Sequence, residues 1–257
     1  MSNAQAKHER PWEDTLILAF RDMQWIERVS NEALNRTELA QTPGLLLKFD
    51  GNAESAVGDV LASQDDRYFL LEFKATLSGL DKEREKDMYT VISEACNKDT
   101  GDPDLTEKAE LGHFLVFPHP RRSGLKKIES IIPVHDIQLN CISYPAFTRE
   151  PVAKQLRKQS APLREVFYGA EKGLDLAEMA DYLNLLAKKK GDGGDSLPIN
   201  AAIASPSGLF WPGGQLRELR KFVQTLELQK LRLVELEKKK ALEAKKAKPT
   251  STFGKSF

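Results

Sequence analysis

The chain is short of the residues that build sulfur and imidazole cages. Its 257 residues include two cysteines and four histidines. Cys96 and Cys141 lie far apart with no Cys-x-x-Cys spacing, which argues against a disulfide framework and a structural zinc site. Long apolar runs are missing as well: none approaches the roughly 18 to 20 residues of a membrane span. The stretch from Met1 to Lys7 lacks the apolar run of a secretory signal. A cytoplasmic protein with no membrane partner is the expectation. No Gly-rich phosphate loop, nucleophile elbow or Cys/His dyad occurs, so the usual signatures of nucleotide binding and nucleophilic hydrolysis are absent.

An overall charge is missing too, since 38 Lys and Arg balance 38 Asp and Glu. The balance hides an asymmetry. Residues 213–257 hold 12 basic against 5 acidic side chains, whereas residues 1–212 hold 26 against 33. An acidic body argues against tight non-specific DNA binding by the body alone, because that affinity comes mainly from neutralising phosphates. A nucleic-acid role therefore needs local basic patches, the tail or a partner. With 40% hydrophobic and 30% charged residues, the chain suits one large globular domain, or one domain plus an extension.

Periodicity predicts a helix from Pro11 to about Leu39, with Leu16, Ile17, Phe20, Met23 and Ile26 at three- and four-residue spacing. Leu45–Phe49, Ala56–Ala62 and Arg67–Ala75 read as three strands, the last two separated by the polar Ser63–Asp66. A second helix is predicted over Asp81–Asn97, then a loop over Asn97–Lys108 with Gly101, Pro103 and three aspartates. His113–Phe117 reads as a strand stopped by Pro118, and Ile128–Val134 as an edge strand. Residues 150–190 look mostly helical, most clearly at Leu174–Lys190. A last helix carries Leu216, Leu219, Phe222, Val223, Leu226, Leu233 and Leu236 near heptad spacing before a lysine-rich tail. Packing on the body with a solvated tail is the plainer reading of it. The other is a helix over 213–247 that contacts a partner helix, a second copy or nucleic acid.

The strand Tyr68–Leu71 is apolar enough to be buried, yet it runs into Glu72 and Lys74. Alternation puts these two charges on one face and Leu71 and Phe73 on the other. A buried ion pair gains little stability, because desolvation costs several kcal/mol per ion. A reason other than stability is needed to keep such a pair. A surface hairpin with an ordinary cross-strand pair is the bland alternative, but it would have a polar first half.

Gly58-Asp59, twelve intervening residues, then Glu72-Phe73-Lys74, set in the order helix, strand, strand, strand, helix, strand, resembles the PD-(D/E)XK nuclease superfamily. The resemblance spans roughly residues 12–135. It implies an α/β fold, a restriction-endonuclease-like mixed central sheet flanked by helices. The divisions expected with it are a nuclease-like core over 1–148, helical segments and loops over 149–212, and an amphipathic C-terminal helix with a basic tail over 213–257.

The resemblance implies a nuclease that cuts DNA with Mg²⁺ or Mn²⁺, in DNA processing or anti-phage defence. Asp59, Glu72 and the backbone carbonyl of Phe73 would be its metal ligands and Lys74 its catalytic lysine. Hard cations prefer carboxylate oxygens, and a divalent cation activates both phosphate and water. Family members often add a glutamate from the first helix. Glu32 is the choice here and Glu27 the alternative. RecB-like members carry Gln-x-x-x-Tyr on the next helix, where this chain has Glu85 and Tyr89; a carboxylate cannot donate to a phosphate as an amide does. The rival expectation is the same fold without catalysis, acting as an interaction subunit through its C-terminal helix. His113 and His119 read as structural histidines. Arg121, Arg122, Lys126 and Lys127 form a short basic cluster that suits a solvated turn or a phosphate backbone.

Overall fold

The computed structural model describes residues 12–30, 43–49, 58–77, 80–97, 99–120, 137–150, 152–189, 203–205 and 208–210, with single positions of a helical segment between 218 and 243. Contacts divide the chain into two compact units, Met1–Arg217 and Glu218–Phe257. Among the described residues no helix is long and apolar enough to cross a membrane. The first unit is α/β: a mixed sheet of six strands in sequence order, flanked by helices.

Helix α1, Glu13–Val29, buries Leu16, Ile17 and Phe20 and carries Glu13 and Asp14 in its first turn and Arg28 in its last, as the helix dipole favours. The predicted continuation to Leu39 lies outside the described residues. Strands β1 (Leu46–Lys48), β2 (Val60–Gln64) and β3 (Arg67–Phe73) follow as an antiparallel meander. The β2–β3 hairpin is tighter than the sequence predicts: Ser63 and Gln64 pair with Tyr68 and Arg67, leaving Asp65 and Asp66 as the turn. Asp65 takes the left-handed conformation (φ 52) that such short turns demand. Ser63 is polar but buried. Its N–H donates to the Leu45 carbonyl at 2.9 Å and its hydroxyl accepts the Leu45 N–H at 2.9 Å.

The crossover between the parallel strands β3 and β4 (His113–Pro120) carries three helices, α2 (Leu80–Arg84), α3 (Asp87–Ala95) and α4 (Pro103–Gly112). The single helix expected over 81–97 is thus broken at Glu85–Lys86. The loop expected over 97–108 is in part a helix, α4, whose start is defined by Asp102 accepting the Leu105 N–H at 3.1 Å and by Pro103 in the first turn. Strand β4 does not stop at Pro118. It runs on to Pro120 against β5 (Ile137–Ser143) alone, since β3 ends opposite Val116 and a proline is tolerated where only one neighbour is paired. The strand expected over 128–134 lies outside the described residues.

Helices α5 (Tyr144–Arg149) and α6 (Ala153–Gln159) lead to the two-residue strand β6 (Ala161–Pro162), then α7 (Leu163–Tyr168) and α8 (Leu176–Lys189); β7 (Ile203–Ser205) and β8 (Gly208–Phe210) form a separate hairpin. One face of the sheet packs Val60, Phe69, Leu71, Phe73, Phe114 and Val116 against Phe20 of α1 and Phe167 of α7. The ring centroids of Phe20 and Phe167 stand 5.1 Å apart, edge to face, a pairing worth about 1 kcal/mol beyond its buried area. The alternate residues of β3, Leu70 and Glu72, face the other side, where α4 and α8 pack. That alternation sends Glu72 away from the aromatic core and into the region beneath the crossover.

Candidate active site

Asp59 immediately precedes β2 and Glu72 is the penultimate residue of β3. The register Val60↔Leu71, carried one step further, sets Asp59 opposite Glu72, so the two carboxylates share a face. Asp59 is held at both ends: its carbonyl accepts the Phe49 N–H at 2.7 Å and its Oδ2 accepts the Phe73 N–H at 2.6 Å. Glu72 is fully buried. Its Oε1 accepts Lys74 Nζ at 2.6 Å and also contacts Lys86 Nζ. Its carboxyl is also hydrogen-bonded to that of Glu83. Gly58, with φ +119, lets the chain turn into β2; a Cβ there would stand 3.5 Å from Glu72 Oε2 and 3.7 Å from His113 Nε2.

Two further charged residues join them, neither singled out by sequence. Glu83, on α2, is fully buried; its Oε2 stands 3.0 Å from Lys74 Nζ and 3.2 Å from Lys86 Nζ, and its Oε1 accepts the Tyr144 hydroxyl at 2.5 Å. Lys86 sits in the break between α2 and α3, where extended backbone (φ −70, ψ 143) replaces the helix. Its Nζ meets Glu72 and Glu83 and lies 4.0 Å from Asp59 Oδ1. Three carboxylates and two ammonium groups are thus packed together beneath the crossover.

Burial, with the nearby Asp59, holds the Glu72 carboxyl above the usual carboxylate range despite its two lysines. Burial, with Glu72 beside it, does the same to Glu83. For Lys74, burial alone would lower the ammonium, but Glu72, Glu83 and Asp59 outweigh it and hold it above the usual lysine range. Lys86 moves the same way, burial again being outweighed by Glu72 and Glu83. Both lysines are therefore charged in the neutral range. His113 completes the floor: its Nδ1 stands 2.7 Å from Tyr182 Oη, its ring stacks on Tyr144, and burial pushes its pKa down to about 3. It is a neutral structural histidine.

The structure thus gathers Asp59, Glu72 and Lys74, with Phe73 between them placing its ring in the core and its N–H on Asp59. Glu27 is not near them. It pairs with Arg164 at 2.7 Å, fourteen residues and about 21 Å along α1 from Glu13. Glu32, Arg121, Arg122, Lys126 and Lys127 lie outside the described residues. The first-helix acid that approaches the cluster is Glu13, whose Oε1 is 3.8 Å from Lys74 Nζ. Glu85 faces solvent and Tyr89 packs its ring on Phe147 at 5.3 Å, so the residues at the Gln-x-x-x-Tyr positions do not point at the site.

Among the described residues, no group of three or more His, Cys, Asp or Glu side chains stands ready to hold a metal ion. Ammonium groups lie between the carboxylates instead. Comparison of the chain with protein-family models, curated proteins and solved structures gives no match.

Proposed function

We propose that the chain is a metal-dependent deoxyribonuclease of the PD-(D/E)XK type, on a restriction-endonuclease-like version of its α/β fold. The observation that carries this reading is the convergence of Asp59 and Glu72, from opposed positions of two paired strands, on the ammonium of Lys86. Burial of Glu72 and Glu83 this complete is poor design for stability and reasonable design for a cation site. Asp59, Glu72 and the Phe73 carbonyl are the groups that would hold Mg²⁺ or Mn²⁺. When bound, that ion supplies polarisation of the phosphate and a more acidic water.

Lys74 acts as a fixed cation. Carboxylates on two sides keep it protonated, so it orients the water and stabilises negative charge growing on the phosphoryl oxygens; it does not take the proton. Asp59 is positioned by the Phe73 N–H. Glu83 is positioned by Tyr144 and holds Lys74 in place.

Purified protein in Mn²⁺ or Mg²⁺ is expected to cut duplex or single-stranded DNA, and Asp59→Asn or Glu72→Gln to abolish cutting with the fold retained. A folded protein that leaves both DNA forms intact, or variants that cut as fast as the wild type, overturns the reading. Lys74→Ala is a poorer discriminator because Lys74 neutralises two buried carboxylates and its loss costs stability under any function.

A second reading, an interaction subunit without catalysis, is favoured by Leu228, Leu236 and Leu242, helical positions of the C-terminal unit that are each more than half exposed. Under it, deleting residues 213–257 releases a co-purifying protein while DNA remains uncut throughout.

A further inference from the structure

We propose that Lys86 is a tethered cation that occupies the metal position of this site and must swing out before a divalent ion can enter. The inference rests on the nuclease reading above and concerns how that site is regulated.

The two lysines are not equivalent. Lys74 contacts Glu72 and Glu83, with Glu13 farther off, whereas Lys86 meets Glu72 and Glu83 and stands 4.0 Å from Asp59. Lys86 is thus the ammonium that all three buried carboxylates surround. It is also the one nearer solvent, its side chain 20% exposed against 10% for Lys74, and it springs from a helix break. Rotation about its own side chain can withdraw it.

What stays behind remains organised. Asp59 keeps the Phe73 N–H, Glu72 keeps Lys74, and Glu83 keeps both Lys74 and the Tyr144 hydroxyl. With all three carboxylates ionised, they and Lys74 alone carry −2, which a divalent cation neutralises and a single ammonium does not. The tether is therefore a weaker filling than the ion it excludes, but one present at very high local concentration.

The test needs no DNA. Mn²⁺ binding to the full chain is measured by calorimetry and by the loss of the free-ion paramagnetic signal, for the wild type, Lys86→Met, Lys86→Gln and Lys86→Arg. At least tenfold tighter binding is expected for Lys86→Met, or for Lys86→Gln should the methionine variant not fold, while Lys86→Arg stays near or below the wild type. In the wild type, saturating Mn²⁺ is expected to raise acylation of Lys86, read by mass spectrometry, with Lys74 unchanged. If the wild type binds Mn²⁺ and neither removal of the charge nor Lys86 labelling changes anything, the tether is overturned and the metal site stands. If folded wild type and Lys86→Gln both fail to bind Mn²⁺ at millimolar concentration, the tether and the nuclease reading both fall.

Discussion

Glu72 shows how the charge count decides the outcome of a substitution. Replacing a buried ion is damaging when it strands its partner, by about 3–5 kcal/mol, and neutral or favourable when it does not. The cluster holds Asp59, Glu72 and Glu83 against Lys74 and Lys86, so Glu72→Gln leaves two charges of each sign. Its melting temperature is expected at or above that of the wild type even though cutting is lost. Lys74→Met leaves three carboxylates facing one ammonium, and a loss of about 3 kcal/mol in denaturant unfolding is expected. The two variants, one of each sign, make the prediction sharp: equal destabilisation would contradict the charge count.

His113 provides the pH counterpart. Its ring is enclosed by Tyr182 from α8, Tyr144 from α5 and Lys86 from the helix break, with the Glu72 carboxyl across Gly58. A histidine with a depressed folded pKa gives stability that is complete above its unfolded value of about 6.5 and lost as pH falls toward about 3. Between pH 7 and pH 4 the wild type is expected to lose about 3 kcal/mol through this one ring. His113→Gln, which cannot take up the proton, is expected to show a flatter acid limb in urea titrations at the two pH values.

At the scale of elements, the local features that set strand ends can be tested singly. Gly44 has φ +126, and a Cβ on it would stand 2.3 Å from the Ser63 carbonyl oxygen. Both the conformation and the contact exclude a side chain, so Gly44→Ala is expected to cost about 2 kcal/mol or more. Asp102→Ala, which removes the cap of α4, is expected to cost about 1 kcal/mol. Thermal melts of both variants check the order of the two effects.

The elements that the sequence reveals are those whose signal is local. Helix α1 shows itself in Leu16, Ile17 and Phe20 at helical spacing, and β3 in an apolar run bounded by turn residues; with β2 these place Asp59, Glu72 and Lys74. The helix break at Lys86 has no such signal. Neither glycine nor proline marks it, and lysine is a fair helix former; the three carboxylates that its ammonium meets come together only in three dimensions. Glu83 is hidden for the same reason, as one acid among several in a charged stretch. Helix α4 was legible in principle from Asp102-Pro103, but Gly101 and the neighbouring aspartates mask that cap as a loop. The alternation of Ile137, Leu139 and Cys141 with Gln138 and Asn140 similarly carries β5.

At the scale of the molecule, residues 218–257 form a compact unit of their own, with 11 basic against 5 acidic side chains. Deleting them is expected to leave the unfolding transition of residues 1–217 within a few degrees of its place and to weaken DNA binding at low salt. The slope of log affinity against log salt should also become shallower, because fewer counterions are released. Fluorescence anisotropy at 50 and 200 mM salt, beside a melting curve, checks both.

The one parallel junction of the sheet imposes an order of assembly. Asp59, Glu72 and Lys74 can meet once a two-residue hairpin has closed, an event of microseconds. Glu83 and Lys86, nine and twelve residues past Lys74, join by a further loop closure from the start of the excursion to β4, an added entropic cost. An early hairpin therefore carries an incompletely neutralised pair of acids on a face still open to water, and the inner ionic cluster is completed only by that second closure.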